Sequence, residues 1–72
     1  MEEYVEKAFR AYYVRNPDGA HPSRTTDSFT EKGKFYVVLS NVNGPLAIYQ
    51  VYNDGRIRFV KDRHIWKIAK EI

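Results

Sequence analysis

Three glycines stand eleven residues apart, at Gly33, Gly44 and Gly55, and each closes a short polar triplet: Glu31-Lys32-Gly33, Val42-Asn43-Gly44 and Asn53-Asp54-Gly55. Between them lie Phe35-Tyr36-Val37-Val38-Leu39 and Leu46-Ala47-Ile48-Tyr49-Gln50-Val51-Tyr52, runs rich in β-branched and aromatic residues. Turn signals at this interval around such runs predict an antiparallel meander. The predicted strands are 34–40, 46–52 and 56–61. Two hairpin geometries compete at each turn: a two-residue loop that uses only the last two residues of the triplet, and a three-residue loop whose last residue is left-handed. Glycine, third in each triplet, favours the second.

That loop length sets a register. Asn41 is expected opposite Pro45, Val37 opposite Tyr49, Phe35 opposite Val51, Val51 opposite Ile57 and Tyr49 opposite Phe59. One sheet face then collects Phe35, Val37, Leu39, Ala47, Tyr49, Val51, Ile57 and Phe59, with Phe29 joining from a polar edge strand within 25–30. The other face holds Tyr36, Val38, Ile48, Gln50, Tyr52, Arg56, Arg58 and Val60. A slip of one residue mixes the two sets, so their separation supports the register.

Helices flank the meander. Over residues 2–14, Tyr4, Val5, Ala8, Phe9 and Tyr12 fall on one side of a helix, and Asn16-Pro17-Asp18-Gly19 ends it in a turn. Asp62 is a candidate N-cap for a last helix over 63–72, whose Ile65, Ile68, Ala69 and Ile72 share a stripe. The expected architecture is a single α+β domain: an N-terminal helix, an antiparallel meander of three or four strands, and a C-terminal helix, with both helices packed on one sheet face. Helix, three antiparallel strands, helix resembles the order of the double-stranded-RNA-binding domain. The stretch Lys61-Asp62-Arg63-His64-Ile65-Trp66-Lys67 lacks that family's Lys-Lys-x-Ala-Lys run, so the resemblance carries over no binding residues.

Seventy-two residues leave room for one domain, and 43% hydrophobic with 29% charged residues describes a globule, not a disordered tail. The absence of cysteine excludes a disulfide framework and thiolate metal sites, and favours the cytoplasm. No apolar run approaches the roughly 20 residues that span a bilayer, so no membrane association is expected.

The net charge of +3 is unevenly placed: residues 1–20 sum to −1, 21–55 to zero and 56–72 to +4. Such asymmetry is either a footprint for a polyanion or a complement to the C-terminal dipole of the last helix. No phosphate-cradling glycine loop, nucleophile elbow or paired-carboxylate motif is present. The two histidines, His21 and His64, match no familiar metal-ligand spacing, although two imidazoles can in principle cleave RNA. The chain is therefore read as non-enzymatic, with no cofactor, no metal and no small-molecule substrate.

Two surfaces remain as candidates. On the second sheet face, Tyr36 and Tyr52 offer rings for base stacking, while Gln50, Arg56 and Arg58 offer hydrogen bonds and charge. On the last helix Arg63, Lys67 and Lys70 line one side, with Arg24, Ser23, Thr25 and Thr26 as further phosphate donors. Trp66 is either a rim residue that closes the core or an exposed anchor. The expected function is a small accessory protein that binds nucleic acid through an open sheet face and a basic helix. The alternative is a protein-interaction module or homodimer that buries Val38, Ile48, Tyr52 and Val60.

Overall fold

A computed structural model describes residues 3–19, 21–22 and 26–71. The elements run α1 (Glu3–Arg15), β1 (Asp27–Glu31), β2 (Lys34–Asn41), β3 (Gly44–Val51), β4 (Ile57–Phe59) and α2 (Arg63–Glu71). The four strands form one antiparallel sheet in the order β1-β2-β3-β4. The α+β class and the meander are as the glycine cadence implies.

The central register is also as expected. Phe35 pairs with Val51, Val37 with Tyr49, and across the next ladder Val51 with Ile57 and Tyr49 with Phe59. The loop Asn53-Asp54-Gly55 has three residues: the Tyr52 N–H donates to the Arg56 carbonyl at 2.8 Å, and Gly55 takes φ +91°. The other two turns are tighter. Asn41 pairs with Gly44, not Pro45, and an irregularity between Leu39 and Ser40 returns the ladder to register at Leu39–Ala47. Between β1 and β2 the loop is Lys32-Gly33 alone, with Glu31 opposite Lys34 and both loop residues at positive φ.

That shorter loop moves Phe29. It pairs with Tyr36 and stacks on it with ring centroids 5.2 Å apart, so it lies on the second face and not with Phe35 and Val37. One residue of loop length changes the face of the whole edge strand.

The larger correction concerns α2. Helix α1 buries Ala8 and Tyr12 against Val37, Leu39, Ala47 and Tyr49. Helix α2 buries Ile65 and Ala69 against Tyr36, Val38, Ile48 and Val60, with Phe29 and Trp66 packed around them. The helices therefore cover opposite faces, not one. The physical reason is apolar area: Val38, Ile48 and Val60 must leave water, and the Ile65 and Ala69 stripe of α2 covers them. Tyr36-Val37-Val38-Leu39 are consecutive and all buried, as in a strand covered on both sides. Ile72, expected in the α2 stripe, lies outside the described residues.

Two hydrogen bonds fix the start of α2. The Asp62 carboxylate accepts the His64 N–H at 2.9 Å, which is the N-cap bond expected of it. The Trp66 indole N–H donates to the Val60 carbonyl at 2.7 Å, which ties the first turn to the end of β4. Trp66 is thus a half-buried rim residue.

Candidate nucleic-acid interface

The docking of α2 divides the face once expected to be open. Strand pairing sets Phe29, Tyr36, Gln50 and Arg58 in one row across the sheet. Tyr36 is 5% exposed, held between Phe29 and the α2 cluster, and has no free ring face for a base. Burial raises its phenol pKa, and the carboxylates of Asp62 and Glu31 add to the shift. Val38, Ile48 and Val60 are also buried within the chain, which removes them from the surface proposed for protein contact or a homodimer.

Beside the first turn of α2 the same face stays open as a cleft of 540 Å³. Gln50 and Arg58 reach it from the sheet, Lys34 from the start of β2 and Lys61 from the α2 approach. Tyr36, Phe59, Val60, Asp62 and Ile65 complete its walls, and Arg15 reaches it from the end of α1. Its cations outnumber the one carboxylate, Asp62, which already caps α2.

A second depression of 400 Å³ lies along α2, walled by Lys61, Arg63, Trp66, Lys67 and Lys70. Lys61 belongs to both, so the two depressions adjoin and the cations from Lys34 and Arg58 to Lys70 line neighbouring surfaces. Among the described residues the ion pairs are Lys7–Glu3, Arg56–Asp54 and His64–Glu31, and none engages Lys34, Arg58, Lys61, Arg63, Lys67 or Lys70. Uncompensated exposed cations at helical spacing beside an indole can neutralise a phosphate backbone without reading sequence.

The remaining candidates lie elsewhere. Arg56 is committed to its own turn: its Nε lies 2.7 Å from Asp54 and its N–H donates to the same carboxylate at 3.1 Å. That backbone bond, with the Arg56 charge, holds the Asp54 carboxyl below its usual pKa. Tyr52 lines a separate hollow with Tyr4, Lys7 and Gly55 that shares no residue with the basic clefts. Arg24, Ser23 and Thr25 lie outside the described residues.

Lys34, Lys61 and Arg15 are not among the candidates that the sequence singles out. Lys34 shares strand parity with Tyr36, and that was the available signal; Arg15 is brought over Phe59, its Cζ 4.6 Å from the ring centroid, only by tertiary packing.

His21 lies against the Tyr13 ring at 5.8 Å and His64 Nε2 lies 3.6 Å from Glu31, so each histidine has its own neighbour. Among the described residues no group of three or more His, Cys, Asp or Glu side chains is placed to hold a metal ion. Among the described residues, too, no helix is long and apolar enough to cross a membrane.

The fold and surface together define a small α+β protein: a four-stranded meander with a helix on each face and a basic strip beside the second helix. Compared with models of known protein families, with curated proteins and with solved structures, the chain matches none.

Proposed function

We propose that this chain is a small, non-enzymatic, cytoplasmic accessory protein that binds nucleic acid along the basic strip from Lys34 and Arg58 over Lys61 to Arg63, Lys67 and Lys70. One observation carries the reading: Lys61 joins two depressions whose exposed cations have no carboxylate partner among the described residues. Binding is by phosphate neutralisation. Gln50, at the floor of the larger cleft, supplies a neutral hydrogen-bonding group, and Trp66 supplies apolar contact at the strip's other end. Stacking on Tyr36 is not part of this mechanism, and Tyr52 and Arg56 play no role in it.

The test is a fluorescence-anisotropy titration of the protein with labelled single-stranded RNA and duplex DNA over a series of salt concentrations. Affinity is expected to fall linearly on a log–log plot, with roughly 0.7 to 0.9 of slope for each phosphate contact. Lys67→Ala/Lys70→Ala should flatten that slope, and Arg10→Ala, on the opposite side, should leave it unchanged. Undiminished affinity in the double variant, with the fold intact by circular dichroism, would falsify the assignment.

A further inference from the structure

The outer edge of β4 is a second feature, which adjoins the basic cleft at Arg15, Arg58 and Phe59. Among the described residues β4 is the last strand of the sheet, and its outward backbone groups meet no further strand. Their identity follows from the ladder. The Arg56 carbonyl accepts from Tyr52 at 2.8 Å, and the Val60 N–H donates to Ile48 at 2.9 Å. Antiparallel pairs alternate, so Arg56, Arg58 and Val60 bond toward β3, and the N–H and C=O of Ile57 and Phe59 point outward.

The side chains of this edge alternate in chemistry as well as direction. Ile57 and Phe59 face α1, where with Ala11 and Val14 they wall an apolar groove of 640 Å³. Val14 is 79% exposed there. Lys7, Arg10 and Arg15 also line this groove. On the other side of the strand Arg58 faces the basic cleft, and Arg56 is paired with Asp54.

We propose that this edge receives an extended segment of a partner protein in which apolar and acidic residues alternate. Such a segment adds a fifth strand, and its backbone bonds to Ile57 and Phe59. One set of its side chains enters the α1 groove, and the other set meets Arg58. Strand addition of this kind takes affinity from the backbone and specificity from alternate side chains.

Charge and pattern select a foreign partner over a second copy. β4 against itself sets Arg56 and Arg58 near their own kind, and like charges across a strand pair destabilise it. β1 of another copy carries Asp27, Phe29 and Glu31 on one side and Ser28 and Thr30 on the other. Neither of its sides is uniformly apolar, so it leaves the groove unfilled.

The probe is an eight-residue blocked peptide that alternates Glu with Val and Ile. Its controls are the same peptide with Lys for Glu, and an isomer with the acids and the apolar residues in separate blocks. Two-dimensional NMR of the whole chain should show shifts and slowed amide exchange at Ile57 and Phe59 with the alternating acidic peptide only. Val14→Glu, at an exposed position, should weaken binding at least tenfold while circular dichroism stays native, and Lys67→Ala/Lys70→Ala should leave it unchanged. Three results overturn the proposal. These are equal binding of either control peptide, shifts centred on α2, and concentration-dependent protection of Ile57 and Phe59 without peptide, which would place a second copy on the edge. Arg58 belongs to both surfaces, and Lys67→Ala/Lys70→Ala, expected to weaken nucleic-acid binding alone, tells failure of one reading from failure of the other.

Discussion

Lys32 carries a Cβ into the left-handed region, at φ +52°, because a two-residue hairpin loop needs positive φ at both positions. Gly33 takes its place at φ +78° without cost, but a lysine there costs on the order of 1 kcal/mol. Lys32→Asn makes the Asn-Gly pair this turn type prefers. It should raise stability by on the order of 1 kcal/mol, read as a higher urea midpoint at unchanged m-value. The same residue explains a misreading. Lysine gives no sign of left-handed geometry, so the triplet looks like a three-residue loop with glycine last. Phe29 is then assigned to the wrong face, although the strand that holds it is correctly anticipated.

At the scale of elements, the strands were legible and the position of α2 was not. Strand parity follows from the two-residue repeat, and it separated Val37, Leu39 and Tyr49 from Tyr36, Val38 and Ile48 correctly. An amphipathic helix shows that it has an apolar side but not which neighbour takes it. Ile65 and Ala69 fit either sheet face, and the choice rests on the short connection from Val60 to Asp62 and on Trp66 reaching back to Val60. The basic strip shares this history: Arg58, Arg63, Lys67 and Lys70 were identified singly, but only the docked helix joins them through Lys61. Asp62 is the hinge of that arrangement. Asp62→Ala removes the cap on the His64 N–H and should cost about 1 kcal/mol. Urea unfolding measures the loss, and hydrogen exchange should show it first as faster exchange in the first turn of α2.

The whole molecule is a sheet with an apolar cluster on each side, and each cluster includes a buried tyrosine: Tyr49 beneath α1 and Tyr36 beneath α2. Burial is the leading cause of a raised phenol pKa in both. Arg15 partly offsets it at Tyr49, where Tyr12 adds to it, and the carboxylates of Asp62 and Glu31 reinforce it at Tyr36. The folded state therefore holds these two protons more tightly than the unfolded chain does. Their contribution to stability is complete below the ordinary phenol value of about 10, and it is lost as pH rises from there through the raised folded values. Urea unfolding at about pH 8 and about pH 11 should show this alkaline loss in the parent chain. The loss should be smaller in Tyr36→Phe and Tyr49→Phe, each variant removing the share of one side of the sheet.

The indole of Trp66 is the chain's single tryptophan, and it is bonded to Val60 at the junction of α2 with the sheet. Its fluorescence is consequently an intrinsic optical gauge of one event, the seating of the last helix. Release of α2 moves this ring from a half-buried, hydrogen-bonded position into water, while the tyrosines under α1 stay where they are. A red shift in emission that precedes the loss of far-ultraviolet ellipticity would thus distinguish the opening of one layer from the collapse of the whole. The same ring sits among Lys61, Arg63, Lys67 and Lys70, so its quenching by an added polyanion follows occupancy of the strip without any attached dye.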